Sequence, residues 1–344
     1  VATTILGIDL GAHSVKVCGK QGTFAFPAAV MPYAITGDSD LGQVTSSLAF
    51  SFDDGVHRGD YNIGELALLT RNVVRTVTNT TRLSGSETTS LYLSAVSMAC
   101  PNEQDINAFV VAGLPARLAT PSNMETLKSS VSGHYTLRHH NGRIQNIQLN
   151  IEHVMSQPNG GLLDFFTDPD GYPVNEATFR DEIVAVLDVG GETSDFAYFM
   201  PRLTWVADKS GSIDLGTRWM EDNVLRDIEQ FHGVRGLDPY SIWKQIHERK
   251  VTVRGKKVDI NVIVEKRLRE LASLLCRFSL DAANTNLNEL QLFLCTGGGE
   301  LDLFEYIQAQ FPHAQISNDP RFANARGFYK KGLRLARQKN LMPA

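Results

Sequence analysis

One segment of this chain occurs twice, and that repetition limits the folds available to it. Residues 5–17 read ILGIDLGAHSVKV and residues 184–196 read VAVLDVGGETSDF. Both run apolar strand, Asp, apolar residue, Gly, small turn residues, hydroxyl, strand. Asp9 matches Asp188, Gly11 matches Gly190 and Ser14 matches Thr193. Apolar runs joined by a Gly-rich turn form β-hairpins. Two hairpins of one design, so far apart, imply two related halves facing one ligand.

A turn of Gly and small residues presents its backbone N–H groups outward and can cradle an anion, because no side chain blocks close approach. The candidate anion-binding residues are Gly11, Ala12, His13 and Ser14 in the first copy and Gly190, Gly191, Glu192 and Thr193 in the second. Lys16 adds a positive charge, although strand alternation leaves its direction open. An Asp ahead of each turn suits a Mg²⁺ ion between the halves, because Mg²⁺ keeps several waters and carboxylates can hold those waters. Asp9 and Asp188 are therefore the candidate metal residues, acting through water. The plainer alternative is a pair of ordinary tight hairpins with Asp and Gly as turn formers.

A third piece, residues 290–301 (LQLFLCTGGGEL), reads as a buried strand running into a triple-glycine turn, with helical spacing from Leu301 to Phe311. Gly297, Gly298 and Gly299 would let the backbone approach a flat ligand or a phosphate.

In this order, the three pieces resemble the phosphate hairpins and adenosine turn of the actin-like ATPases. Phe109 to Pro115 (FVVAGLP) is similar to the strand ending in Gly-Leu-Pro of bacterial plasmid-segregation actins of the ParM/StbA type and of related archaeal actins. Asn150-Ile151-Glu152, ahead of Gln157 to Phe165, resembles the connecting segment that carries a catalytic carboxylate there. The resemblance implies an α/β protein of the actin-like, ribonuclease-H-like fold. Two related α/β domains would flank a nucleotide cleft, each with a smaller inserted subdomain. The expected domains are 1–158, with an insert at about 31–72, and 159–344, with an insert at about 201–257. It also implies ATP as cofactor, with GTP open because a glycine turn does not read the base, together with Mg²⁺. Glu152 becomes the candidate to orient or deprotonate the attacking water, with Gln157 a second candidate and Asp195 ranked below Glu152. Asp188 would serve catalysis through the metal. By analogy Lys266, with Glu265 and Arg267, would contact purine or ribose. Two positions depart from the family pattern. His13 stands where a small polar residue is usual. Glu192 adds a negative charge beside the phosphates and is expected to point away.

Composition narrows the class. A chain of 344 residues is expected to form more than one core. With a net charge of −5 it has no general basic character, so direct DNA binding is not expected. The basic clusters at 250–266 and 330–339 read as solvated faces. Cys18, Cys100, Cys276 and Cys295 are scattered, which argues against zinc and disulfides and fits a reducing cytoplasm. No apolar run approaches the ~20 residues that span a bilayer, and no signal-peptide pattern precedes the first strand. His139-His140 reads as a turn. Helices are expected at 86–99, 123–131, 216–229 and 258–283, the last with Ile260, Val264, Leu268, Leu271 and Leu275 on one stripe and Asp259 as a possible cap. Strands are expected at 108–112, 135–137 and 144–151, with one more over 205–215.

The expected function is a polymerising ATPase whose nucleotide-dependent filaments drive plasmid segregation through an adaptor protein bound to centromeric DNA. Trp219 and Trp243 are possible filament contacts. The rivals are a phosphotransferase of the sugar- or acetate-kinase type, a chaperone ATPase, and a shape-determining or organelle-positioning actin homologue.

Overall fold

The computed structural model describes residues 2–33, 47–53, 55, 58–68, 83–174, 181–236, 245–284 and 287–341. The chain divides into two compact units. One is 1–177 together with 322–344, and the other is 178–321.

The first unit is built on a mixed sheet. Its strands are β1 (Thr3–Leu10), β2 (Ser14–Gly19), β3 (Gly22–Pro27), β4 (Val30–Pro32), β5 (Ser47–Asp53), β6 (Arg58–Gly64), β7 (Asp105–Leu114), β8 (Gly133–His139) and β9 (Ile144–Ser156). They lie in the order β3-β2-β1-β7-β9-β8-β5-β6-β4. The described strands of the expected 31–72 insert thus continue the main sheet rather than forming a layer of their own, and residues 34–46 and 69–82 lie outside the described set. A short helix α1 (Glu65–Leu68) follows β6.

Strand alternation gives β1 two different faces. Leu6, Ile8 and Leu10 point into a core with Leu91, Leu93 and Val96 of α2 (Ser86–Ala99) and with Leu127 and Val131 of α3 (Pro121–Val131). Thr120 caps α3 by accepting from the Asn123 amide, and Pro121 occupies the first turn, where a missing N–H costs nothing. Ile5, Gly7 and Asp9 take the opposite face. There Ile5 packs with Phe109, Leu333 and Ala336.

That opposite face is covered by α4 (Gln157–Phe166) and by the last helix, α8 (Ala323–Gln338). A Cβ at Gly7 would lie 2.1 Å from the Ala325 carbonyl, so α8 rests directly on the backbone of β1. The two helices cross just as closely at Gly160 and Gly327, where a Cβ on Gly327 would meet the Gly160 carbonyl at 1.8 Å. Asp164 of α4 ties the crossing, pairing with Arg326 and with Lys330 at 2.9 Å. The 330–339 cluster, expected as a solvated face, is therefore largely engaged in packing. The same contacts group 322–344 with the first unit, whereas the sequence reading placed that segment in the second domain.

The second unit repeats the plan. Its strands β10 (Val184–Val189), β11 (Ser194–Met200), β12 (Thr204–Trp205), β13 (Gly211–Ile213), β16 (Leu292–Thr296) and β17 (Ala314–Ile316) run β12-β11-β10-β16-β17, with β13 also on β11. In each unit an antiparallel hairpin is followed by a parallel partner: β1 with β2 and β7, β10 with β11 and β16. The single strand expected over 205–215 is instead broken by a helical turn at Ala207–Lys209. Helices α5 (Thr217–His232), α6 (Asn261–Ala283) and α7 (Glu300–Gln310) pack with this sheet around a second core. On α6 the expected stripe of Val264, Leu268, Leu271 and Leu275 is buried. Asp259 lies one residue ahead of the N-cap, where its carboxylate accepts from the Asn261 amide at 2.8 Å. A separate ribbon, β14 (Lys250–Val253) with β15 (Lys256–Asp259), precedes α6. Trp219 packs against the second core, and Trp243 lies outside the described residues. All four cysteines are buried thiols, and burial pushes Cys18 up to about 12.

Candidate functional site

The two repeated hairpins have the same turn. The Gly11 amide donates to the Ser14 carbonyl at 3.1 Å, and the Gly190 amide donates to the Thr193 carbonyl at 2.9 Å. A Cβ on either glycine would sit 2.8 Å from that same carbonyl oxygen, so both turns require Gly. Each turn follows the strand that pairs in parallel with its neighbour, at that strand's C-terminal end. This is where open α/β sheets place ligands.

The first hairpin gathers a polar cluster. Asp9 and Lys16 are direct cross-strand partners, so both side chains stand on one face. The Lys16 ammonium lies 3.2 Å from one Asp9 oxygen, and the Gln157 amide donates to the other at 2.6 Å. Asp9 is 1 % exposed and Gln157 7 %. The register thus settles the direction of Lys16. Gln157 is delivered by the start of α4, which follows β9 without a break. Gly113, of the Gly-Leu-Pro motif, makes room for it. A Cβ there would collide with the Phe328 ring at 2.2 Å and approach the Gln157 side chain at 3.3 Å. Ala12 and His13 complete the turn, and the His13 carbonyl receives the Ala28 amide.

Glu152 does not join this cluster. Its carboxylate pairs with Lys339, just beyond the far end of α8. It falls at an irregularity of the β7–β9 ladder, where Ile151 pairs with Val110 and His153 with Val111. It stands five positions before Gln157, about 16 Å of extended chain. An extra residue in a ladder re-aims the side chains around it, and nothing in the sequence marks that point. Asp9, Lys16 and Gln157 form the constellation, and Glu152 lies down the strand from it.

The second hairpin holds its polar groups differently. Asp188 and Asp195 are the cross-strand pair in the positions of Asp9 and Lys16. Asp195 is buried and accepts from the Ser212 hydroxyl. The Asp188 carboxylate lies against Gly297, where φ is +93° and a Cβ would be 2.4 Å from it. Gly299 donates to the Val189 carbonyl at 3.0 Å, and a Cβ there would meet Thr217 and Val189 side chains at 2.7 Å. A Cβ on Gly298 would meet nothing nearer than the Arg321 side chain at 3.8 Å. The triple-glycine turn is therefore seated directly on the second hairpin. The N-terminus of α5 is seated there too, since the Thr217 and Arg218 amides donate to the Gly190 and Gly191 carbonyls. Glu192 turns to Arg218 at 2.9 Å.

On α6, Glu265 takes the Tyr306 hydroxyl, while Arg267 is held by Asp227 and Glu270. Lys266 is exposed between them. The Arg267 guanidinium holds the Asp227 carboxyl below its usual range.

Among the described residues, no group of three or more His, Cys, Asp and Glu could ligate a metal directly. Single buried carboxylates beside glycine turns suit a hydrated Mg²⁺ held through its waters, which needs no protein cage. No helix among the described residues is long and apolar enough to cross a membrane. A groove of about 520 Å³ lies at Asp105, Asn107 and Asn146, at the opposite end of β7 from Gly113, and takes no part in this site.

Residues 7–160 match the family described as actin like proteins N terminal domain, and residues 186–309 match the archaeal actin homologue MreB-like C-terminal family. The fold resembles a ParM filament subunit from Clostridium botulinum, with TM-score 0.82, 17% identity, and coverage of 97% of this chain and 100% of that one. It resembles an archaeal actin homologue in complex with ADP, with TM-score 0.75, 17% identity, and coverage of 96% and 99%. Bacillus thuringiensis ParM with ADP gives TM-score 0.72 and 15% identity over 97% and 99%. No curated protein matches the chain in sequence.

Proposed function

Because the chain belongs to the actin-like proteins, with one actin-like family matching each half, we propose that it binds and hydrolyses a nucleoside triphosphate and assembles into filaments under control of that nucleotide. The observation that carries this reading is the duplicated turn. Gly11 to Ser14 and Gly190 to Thr193 fold alike, at equivalent strand ends, with a buried carboxylate two residues ahead of each glycine. The solved structures of similar fold include a ParM filament and ADP complexes. By that likeness the filaments would serve plasmid segregation through a DNA-bound adaptor.

In this reading the amides of Gly11 to Ser14 and of Gly190 to Thr193 hold the phosphates. Lys16 neutralises phosphate charge, and Gly297 to Gly299 leave space for the adenosine. Asp9 and Asp188 would hold a hydrated Mg²⁺ through its waters, and that ion would supply charge neutralisation for the phosphates. Gln157 is the positioning group for hydrolysis. Its amide N–H is committed to Asp9, which fixes the plane of the amide, and its carbonyl oxygen can then accept from the attacking water. Water adds to the γ-phosphorus as the bond to the β-phosphate oxygen breaks, and the water's proton leaves to solvent or phosphate.

Two measurements test this. Pelleting with Mg²⁺ and ATP, compared with ADP and GTP, should show triphosphate-dependent sedimentation, and equal pelleting in every nucleotide state would remove the switch. Gln157→Ala should lower turnover by roughly 10²-fold or more while nucleotide affinity changes little, and Glu152→Ala should leave turnover near wild type. The reverse pattern would return the role to Glu152.

A further inference from the structure

Among the described residues of the second unit, Ser194, Ser279, Thr296 and Ser317 carry buried hydroxyls. Three of them are satisfied by the backbone. Ser194 donates to the Leu215 carbonyl at 2.6 Å, Ser279 to the Leu275 carbonyl at 2.9 Å and Ser317 to the Cys295 carbonyl at 3.4 Å. Thr296 is 0% exposed, and its hydroxyl oxygen has no hydrogen-bond partner among the described residues. A buried hydroxyl left without a hydrogen bond costs stability, whereas a valine of the same shape would carry no such cost. A group of this kind marks a place that a water, an ion or a ligand completes.

Its position in the ladder narrows the choice. Thr296 ends β16 and is the direct partner of Asp188 on β10. The rows before it are apolar, Val184 with Leu292 and Val186 with Leu294, so polarity on this face begins with the Asp188–Thr296 pair. Neighbouring strands lie about 4.8 Å apart, so partnered side chains stand side by side. Yet the hydroxyl does not bond to the carboxylate. Gly297 follows at φ +93°, and a Cβ there would lie 2.4 Å from an Asp188 oxygen, so bare backbone keeps that oxygen clear. The first unit fills the equivalent place differently. There the residue one past the Ile8–Ala112 pair is Gly113, and Asp9 receives the Gln157 amide at 2.6 Å. In the second unit that place belongs to Thr296.

We infer that Thr296 is a positioning residue of the nucleotide site, its hydroxyl oxygen and the Asp188 carboxylate together holding one water of the hydrated cation. This rests on the nucleotide reading above. The water gives one hydrogen to the carboxylate, which only accepts, and the other to the Thr296 oxygen. Its own oxygen stays free for the cation. A phosphate oxygen fits this place less well, because it brings no hydrogen for Asp188 and would face a like charge.

The test uses the full chain and the variants Thr296→Val, Thr296→Ser and Thr89→Val. Thr89, on α2 of the first unit, is the control, because its hydroxyl is equally buried and also without a partner. ATP affinity is measured by calorimetry with Mg²⁺ and with EDTA, beside thermal unfolding without nucleotide. Thr296→Val should melt no lower than wild type, lose roughly tenfold or more in affinity with Mg²⁺, and match wild type in EDTA. Thr296→Ser should recover most of that affinity, and Thr89→Val should bind as wild type does. Wild-type affinity in Thr296→Val, an equal loss with and without Mg²⁺, no recovery in Thr296→Ser, or a like loss in Thr89→Val would each overturn the inference. So would a lower melting temperature of nucleotide-free Thr296→Val, since the hydroxyl would then be stabilising the fold itself. A wild type that binds no nucleotide refutes the nucleotide reading, and that result is read from wild type alone.

Discussion

The crossing of α4 and α8 permits a quantitative test of how the fold holds its chemistry. In Gly327→Ala the new methyl would start 1.8 Å from the Gly160 carbonyl, with the Gly160 carbonyl carbon at 2.6 Å and Cα at 3.0 Å. All three are backbone atoms, so no rotamer change relieves the clash. The helices must part by about 1.2 Å to reach even the shortest normal contact in a close-packed interior. Overpacking of this kind costs about 1–3 kcal/mol. Parting also stretches the 3.1 Å bond from the Gly161 amide to Asn324, worth about 1 kcal/mol. Alanine returns about 1 kcal/mol of helix propensity, leaving a net loss of about 1–3 kcal/mol. Thermal unfolding should drop by about 2–10 °C. The functional loss should be larger in proportion. Gln157 begins α4, and a displacement near 1 Å at a positioning group costs about 10²-fold in rate. Gly332→Ala on the same helix is the control, since its methyl meets a side-chain methyl of Ile5 at 2.9 Å rather than backbone. It should stay within about 1 kcal/mol of wild type and keep its turnover. Phosphate release and thermal melts on the same samples decide the matter. A Gly327→Ala protein that melts and hydrolyses like wild type would show that the close crossing does not position Gln157.

Two further outcomes follow from buried charge. Asp164 is 8% exposed between Arg326 and Lys330, so Asp164→Ala strands two cations and should cost about 3–5 kcal/mol by urea unfolding. Replacing all three groups by apolar residues of similar volume should recover most of that loss. Burial lowers the pKa of His139 below its usual 6.5, within a network through Gln145, Ser97 and Arg143. The unfolded chain then binds a proton that the folded chain refuses. The stability contributed by neutral His139 is full above pH 6.5 and falls as the pH drops below it. His139→Gln should flatten the stability profile between about pH 7 and 5. The slope that remains belongs in part to His153, which burial also lowers. An unchanged slope would remove His139 from the account.

The repeat was legible because its physics is local. A strand, an Asp, a Gly turn and a hydroxyl lie within thirteen residues, and the turn bond from Gly to the hydroxyl residue's carbonyl spans only three. The long amphipathic helix α6 was legible for the same reason, since Val264, Leu268, Leu271 and Leu275 recur at helical period. The sequence ranked Glu152 ahead of Gln157, whereas Gln157 is the one bonded to Asp9 and Glu152 pairs with Lys339. Both follow the same strand, and only the ladder irregularity beside Val110, together with the return of α8, decides which one reaches Asp9. The role of residues 330–339 was hidden by a partner far away in sequence. Lys330 and Arg326 answer to Asp164, more than 160 positions earlier, and no local pattern encodes that distance. The break at 207–209 escaped because the apolar residues on either side, Trp205, Val206, Ile213 and Leu215, read as one strand across a polar stretch in which the backbone turns.

The return of α8 to the first unit has a consequence for biosynthesis. Residues 178–321 form one uninterrupted stretch, so that unit can fold as soon as it leaves the ribosome. The first unit cannot, because the helix that covers Ile5, Gly7, Phe109 and Val111 emerges only after the whole insert has been made. During that interval the nascent protein presents an apolar sheet face covered only by α4. Ribosome stalling or premature termination before residue 322 would leave that face without α8, making such fragments natural clients for chaperones or substrates for degradation.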